Sequence, residues 1–257
     1  MSEQVKSQFP TEMVDIPSKG KLYPKEHPFS SGKVEMRYMT AKEEDIITSR
    51  TLIQKGIAFD RLLESLIVEK VDLNTLLLGD KNALMIAARV LGYGKDYTIT
   101  MTDNMNDKHE IKVDLSNLND KPVDFKKFIS NTRQFEVELP LSKRKVIARI
   151  NDGKDENLIE ADLKGLRKLA KTTGVVPEIT TRLIHSIVSI DGNDKKEAIR
   201  SFVNNELLAG DSSYLRDQLY DMSPDLDMTT EWEDSNGEIQ DIDIPINLDF
   251  FFPNARR

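Results

Sequence analysis

The side chains best equipped for chemistry are few and scattered. Three imidazoles, His27, His109 and His185, lie far apart in the sequence, and no HExxH or paired-ligand spacing joins them. The chain has no cysteine, which excludes disulfides, thiol nucleophiles and thiolate zinc sites. His185 follows Ile184 inside an apolar helical pattern, so a satisfied core or groove imidazole explains it better than a ligand. Two acidic loops invite comparison with calcium sites. In Asp103–Asp107, Met105 takes a ligand position and Lys108 stands where the turn glycine belongs; in Asp191–Asp194, Lys195 and Lys196 follow at once. Neither loop qualifies. Phosphate-binding and nucleophile-elbow motifs are also missing, and Gly92–Tyr93–Gly94–Lys95 reads as a helix stop. No catalytic, cofactor-binding or metal-ligating residue is expected, and no small-molecule substrate.

What remains is surface chemistry. Acidic residues crowd the tail from Asp221 to Asp249, with no Lys or Arg between Arg216 and Arg256. A solvated strand face that resists edge-to-edge pairing accounts for this more simply than a cation site, and a protein partner is a third reading. Lys143 and Arg144 sit at a basic hairpin tip that could meet an acidic partner or simply be solvated. Strand alternation near the end buries Phe250 and Phe252 and turns Phe251 outward, where it could anchor an interface. Pro17 and Tyr23 in the N-terminal segment and Trp232 in the last hairpin complete the candidate partner-binding residues.

Whole-chain properties set the class. The chain has 257 residues, enough for one large or two small cores. A 39% apolar and 31% charged composition fits a soluble globular protein, and a net charge of −8 speaks against general nucleic-acid binding. No apolar run approaches the roughly 20 residues of a membrane span, and the start, MSEQVKSQFPTEM, lacks a signal-peptide core. A cytosolic location is expected unless an assembly carries the protein out.

The elements that must position these residues are legible in order. Residues 1–32 form a proline-containing arm, loose at its start and extended through Pro17, Gly20, Pro24 and Pro28, with Tyr23 as its anchor to the body. Residues 33–152 hold helices and β-hairpins. Val34–Tyr38 is a short strand, Thr40 and Glu43 form a capping box, and Ile57–Ile67 is a second helix. Asp80 caps a helix that Gly92 and Gly94 stop, and Tyr97–Met101 pairs with His109–Val113. A short helix near Asp124–Ser130 and a second β pair, Phe135–Leu141 with Lys145–Ile150, follow. Residues 153–257 form a helical bundle and a C-terminal hairpin. Its helices carry Ile159–Ala170, Ile179–Ile190, Ala198–Leu207 closed by Gly210, and Leu215–Met222 capped by Asp211 or Ser212. Asp234–Gly237 turns the last hairpin, whose return strand runs to Phe252 before Pro253. The class is α+β: helical segments followed by antiparallel β-hairpins, an order that occurs twice and leaves internal duplication open.

Several of these segments together resemble a known family. They are IPSKGKLYP, GKVEMRYMTAKEED, LLLGDKNALMIAARVLGYGKDYTI, the DLS after the first hairpin, and IPINLDFFFP. In this order they are similar to the baseplate hub and hub-assembly proteins of T-even-like contractile-tailed bacteriophages, from about Ile16 to Pro253. The resemblance implies a non-enzymatic virion structural or assembly protein of the central hub, acting by protein–protein docking. Its implied partners are other hub and tail proteins, with the central spike or tape-measure protein among them. The implied location is the host cytoplasm during assembly and the virion tail baseplate if the protein is retained. A transient hub-assembly chaperone is the alternative inside this family; a regulatory nucleic-acid-binding protein with degenerate zinc-ribbon hairpins is the alternative outside it. Related proteins often carry Cys-x-x-Cys at the hairpin tips, whereas Thr102–Asp107 and Glu233–Gly237 carry none, so no metal is transferred.

Overall fold

The first part of the N-terminal arm forms a strand that pairs with the segment after the arm. In the computed structural model, which describes residues 10–102, 107–130, 132–233, 237–247 and 249–251, β1 (Thr11–Asp15) pairs antiparallel with β2 (Lys33–Arg37). Between them the chain turns instead of extending. Ile16, Leu22, Tyr23 and Phe29 are buried, and a 3-10 turn spans Pro28–Ser31. The turn depends on Gly20: its φ is 71°, and a Cβ there would lie 2.3 Å from the Ser30 carbonyl oxygen.

The expected capping box opens α1 (Ala41–Thr48): the Thr40 N–H and hydroxyl donate to Glu43 Oε2 at 2.9 and 2.6 Å. The helix breaks at Ser49, and α2 (Arg50–Gln54) and α3 (Ala58–Leu66) follow. Helix α4 (Leu78–Tyr93) differs from expectation at both ends. It starts two residues before Asp80, so Asp80 is not its cap but lies buried in its first turn. Gly92 stays helical, and Gly94, at φ 83°, ends the helix. Gly79 is required by packing: a Cβ would come within 1.9 Å of the Pro224 carbonyl oxygen.

β3 (Asp96–Thr102) and β4 (Lys108–Asp114) form a two-stranded ribbon that pairs Tyr97 with Val113 and Ile99 with Ile111. The helix expected near Asp124–Ser130 is a 3-10 turn, Phe125–Lys127. β5 (Gln134–Glu138) and β6 (Lys145–Arg149) pair as expected and gain a third strand. After α5 (Gly153–Thr173), ended by Gly174 at φ 74°, helix α6 (Glu178–Ser186) gives way to β7 (Ile187–Ile190). The sequence spacing had carried that helix through Ile190. The strand prevails because Ile187 and Ile190 bury themselves while pairing with β6, and β-branched side chains favour that surface.

Helix α7 (Lys196–Asn205) ends well before Gly210, which lies in the first turn of α8 (Ala209–Met222). Neither Asp211 nor Ser212 caps α8; the N-cap position is Leu208. β8 (Thr229–Glu233) and β9 (Ile239–Asp243) form the last ribbon. β9 stops at Asp243, ahead of Pro245, and Asp249–Phe251 is a 3-10 turn. Alternation therefore does not reach the end, and Phe250 and Phe251 are both fully buried. The expectations for the first nine residues, the Asp103–Asn106 loop, the Asp234–Asn236 turn, Leu248, Phe252 and Pro253 lie outside the described residues. The architecture is α+β, and one cluster of buried side chains runs from Ile16 to Phe251.

Candidate functional site

Three buried charged side chains organise the connections between segments. Asp80 reaches back from α4 to the arm. Its Oδ1 accepts from the Ser18 N–H at 2.9 Å and its Oδ2 from the Tyr23 hydroxyl at 2.7 Å. The same hydroxyl accepts the Leu77 N–H at 3.1 Å, so the arm satisfies a free donor at the start of α4. Burial raises the Asp80 carboxyl above the usual carboxylate range; the donors of Ser18 and Tyr23 act in the opposite sense. Burial also pushes the Tyr23 hydroxyl far above its ordinary range, reinforced by the Asp80 charge.

Arg89, also fully buried, uses carbonyl oxygens and, among the described residues, no carboxylate. Its Nε donates to Phe250 O at 2.8 Å, Nη1 to Gly94 O at 2.5 Å and Nη2 to Asp96 O at 3.0 Å. The Gly94 contact places the cation at the negative end of α4. One guanidinium thus ties α4, β3 and the C-terminal turn together. Asp211 does the same for the β5–β6 hairpin, accepting the N–H groups of Leu141 and Ser142 at 2.8 and 3.0 Å. Burial works to raise its carboxyl, but these donors outweigh it and hold the pKa below the usual value.

The nominated partner-binding residues fall into different settings. Pro17 and Tyr23 are buried, and Tyr23 anchors the arm through Asp80. Phe251 faces inward, its ring 5.8 Å from that of Phe59, so its expected outward position is corrected. Lys143 is exposed, with a positive φ of 58°. Arg144 is half-buried and engages Asp191 and Glu206, while its guanidinium lies over the Phe202 ring at 5.1 Å. Trp232 is half-buried beside His109, ring centroids 5.3 Å apart, which joins the two ribbons. Lys143 and Arg144 share one turn, and Pro17 and Tyr23 belong to the same buried arm.

Sequence reading missed the roles of Asp80, Arg89 and Asp211. The available signal was position: two aspartates near helix starts and one arginine among apolar helical neighbours. His185 Nε2 lies 2.9 Å from Asp162 Oδ2, holding α6 to α5. Among the described residues no cluster of three or more His, Cys, Asp or Glu side chains could hold a metal ion. Among them, too, no helix is long and apolar enough to cross a membrane. The arrangement fastens segments together and exposes ribbons.

Comparison with known proteins adds one finding. Neither the curated proteins nor the solved structures yield a match. Residues 10–252 match the family model described as T4 bacteriophage base plate protein, and the chain belongs to that family.

Proposed function

We propose that this baseplate protein serves in the central hub and acts by docking other hub and tail proteins. Membership of the baseplate family over residues 10–252 carries the reading, since it supports a structural role in the phage baseplate. The form of the β structure supports docking as the mechanism. Among the described residues β3–β4 and β8–β9 are each two-stranded, so a further strand could be added at their edges. Such edges accept a strand from another chain and give main-chain hydrogen bonds at an interface. Lys143 at the β5–β6 tip and Trp232 on β8 are the side chains nominated for contact. The protein is non-enzymatic in this reading. It is made in the host cytoplasm and carried into the tail, with the central spike or tape-measure protein among its neighbours.

Quantitative mass spectrometry of purified particles tests the reading. Copies at a fixed ratio to other hub proteins are expected. Absence from finished particles, with presence in assembly intermediates, would instead make the chain a transient assembly factor.

A further inference from the structure

Helices α5, α6 and α7 leave an open groove that no segment of the described chain fills. Two adjoining concavities of about 660 and about 280 Å³ share Ile184, His185 and Arg200 as lining. The floor is apolar, with Leu166 on α5 and Ile184 on α6, and the rim is net cationic, with Lys168, Lys196 and Arg200 beside Asp162 and Asp194. Among the described residues these three cations form no ion pair, whereas Asp162 on the same rim is engaged by His185. Arg149 in the wall directs Nη2 to Asp155 Oδ1 at 2.6 Å but leaves a buried Nε–H without an acceptor. On a chain of net charge −8 this is a local excess of positive charge over an apolar floor.

The complementary surface is on the same chain. In the β8–β9 ribbon, Thr230, Trp232 and Ile242 take the inner face, where Trp232 meets His109. The outer face carries Glu231, Glu233, Asp241 and Asp243 around Ile239, which is 70% exposed. Glu231 stands directly opposite Asp241 in the register, and Glu233 opposite Ile239. Like charges paired across strands destabilise a ribbon, and a cationic surface laid on them would remove that cost. A bare isoleucine flanked by carboxylates fits an apolar floor rimmed by lysine and arginine.

We propose that the α5–α6–α7 groove receives the outer face of the β8–β9 ribbon from a second copy of this chain, with Ile239 on the floor and carboxylates on the rim. The two patches differ, so the contact is head-to-tail and builds rings or open chains of subunits. The proposal concerns copies of this protein and is independent of the hub reading.

Sedimentation velocity of the full chain, from about 1 to about 100 µM, reads the association constant directly. Reversible self-association that weakens with added salt is expected. Glu231→Lys with Asp241→Lys removes the net negative charge of the ribbon's outer face, and Lys196→Glu with Arg200→Glu makes the groove acidic. Each double variant alone should lose about tenfold or more in association. An equimolar mixture of the two should regain it, because the unaltered acidic ribbon of the groove variant then meets the unaltered cationic groove of the ribbon variant. Circular dichroism and urea unfolding confirm that both variants fold. A chain that stays monomeric throughout, variants that associate like the parent, or a mixture without recovery would each overturn the proposal.

Discussion

Arg89 and Phe250, 161 residues apart, are joined by a 2.8 Å hydrogen bond from the guanidinium Nε to the backbone carbonyl. That bond fastens the C-terminal turn to the helix at the centre of the chain, and two further carbonyls share the same cation. Replacing Arg89 with Met keeps the volume roughly constant but takes the donor from one buried acceptor, the Phe250 carbonyl, and from two part-buried ones on Gly94 and Asp96. A loss of about 1–3 kcal/mol is expected, set by the one fully buried acceptor, because water can reach the other two. Urea unfolding should show it as a lower midpoint at unchanged slope.

Tyr23→Phe removes one hydroxyl that both donates to Asp80 and accepts from Leu77. A loss of about 1–3 kcal/mol is expected, since a buried carboxylate oxygen and an amide lose their partner. Limited proteolysis should then cut the arm before the body, because this pairing ties the arm to α4.

The pH dependence of stability should carry two opposing contributions. Burial raises the Asp80 pKa in the folded chain above the roughly 3.9 of an unfolded one. The folded state therefore keeps that proton longer, and the Asp80 contribution is complete below about pH 4 and is lost as pH rises through the folded value. Asp80→Asn should flatten this decline. Asp211 behaves oppositely, because its folded pKa is lowered: its contribution is present above about pH 4 and is lost as pH falls. Unfolding free energies of the parent, Asp80→Asn and Asp211→Ala across acid to neutral pH separate the slopes by sign.

Asp211→Ala should cost about 1–3 kcal/mol at neutral pH, because the amides of Leu141 and Ser142 lose their acceptor. Hydrogen exchange should report it locally, as loss of protection at those two amides.

Phe251→Ala is expected to act on the core and not on a docking surface. Its side chain is fully buried beside Phe59 and Phe250, so truncation should cost about 3–5 kcal/mol. Trp232→Ala, by contrast, removes a half-buried ring and should lose less stability while weakening any contact made by the ribbon. Thermal unfolding of the two variants side by side makes the comparison.

Local rules carried much of this fold in the sequence. The Thr40–Glu43 box, the Gly174 stop and the β3–β4 pairing all arise from residues near one another in the chain, and each formed as expected. The departures occur where a distant partner decides. Ile187–Ile190 carries helical spacing, yet β6 offers a pairing edge, and strand wins. Asp80 and Asp211 have the composition of helix caps, but Ser18, Tyr23, Leu141 and Ser142 draw their carboxylates into tertiary bonds. Phe251 reads as outward only while β9 continues; once Pro245 and Asn247 end the extended run, a 3-10 turn swings it into the core. The α5–α6–α7 groove could not be read at all, because its walls come from three helices whose relative placement no local pattern specifies.

A reconstruction of the assembled baseplate tests the central claim most directly. Density for this chain at the centre of the baseplate, touching neighbouring hub proteins through its ribbons, is the expected result. Density confined to the baseplate periphery, or none at any stage of assembly, would contradict it.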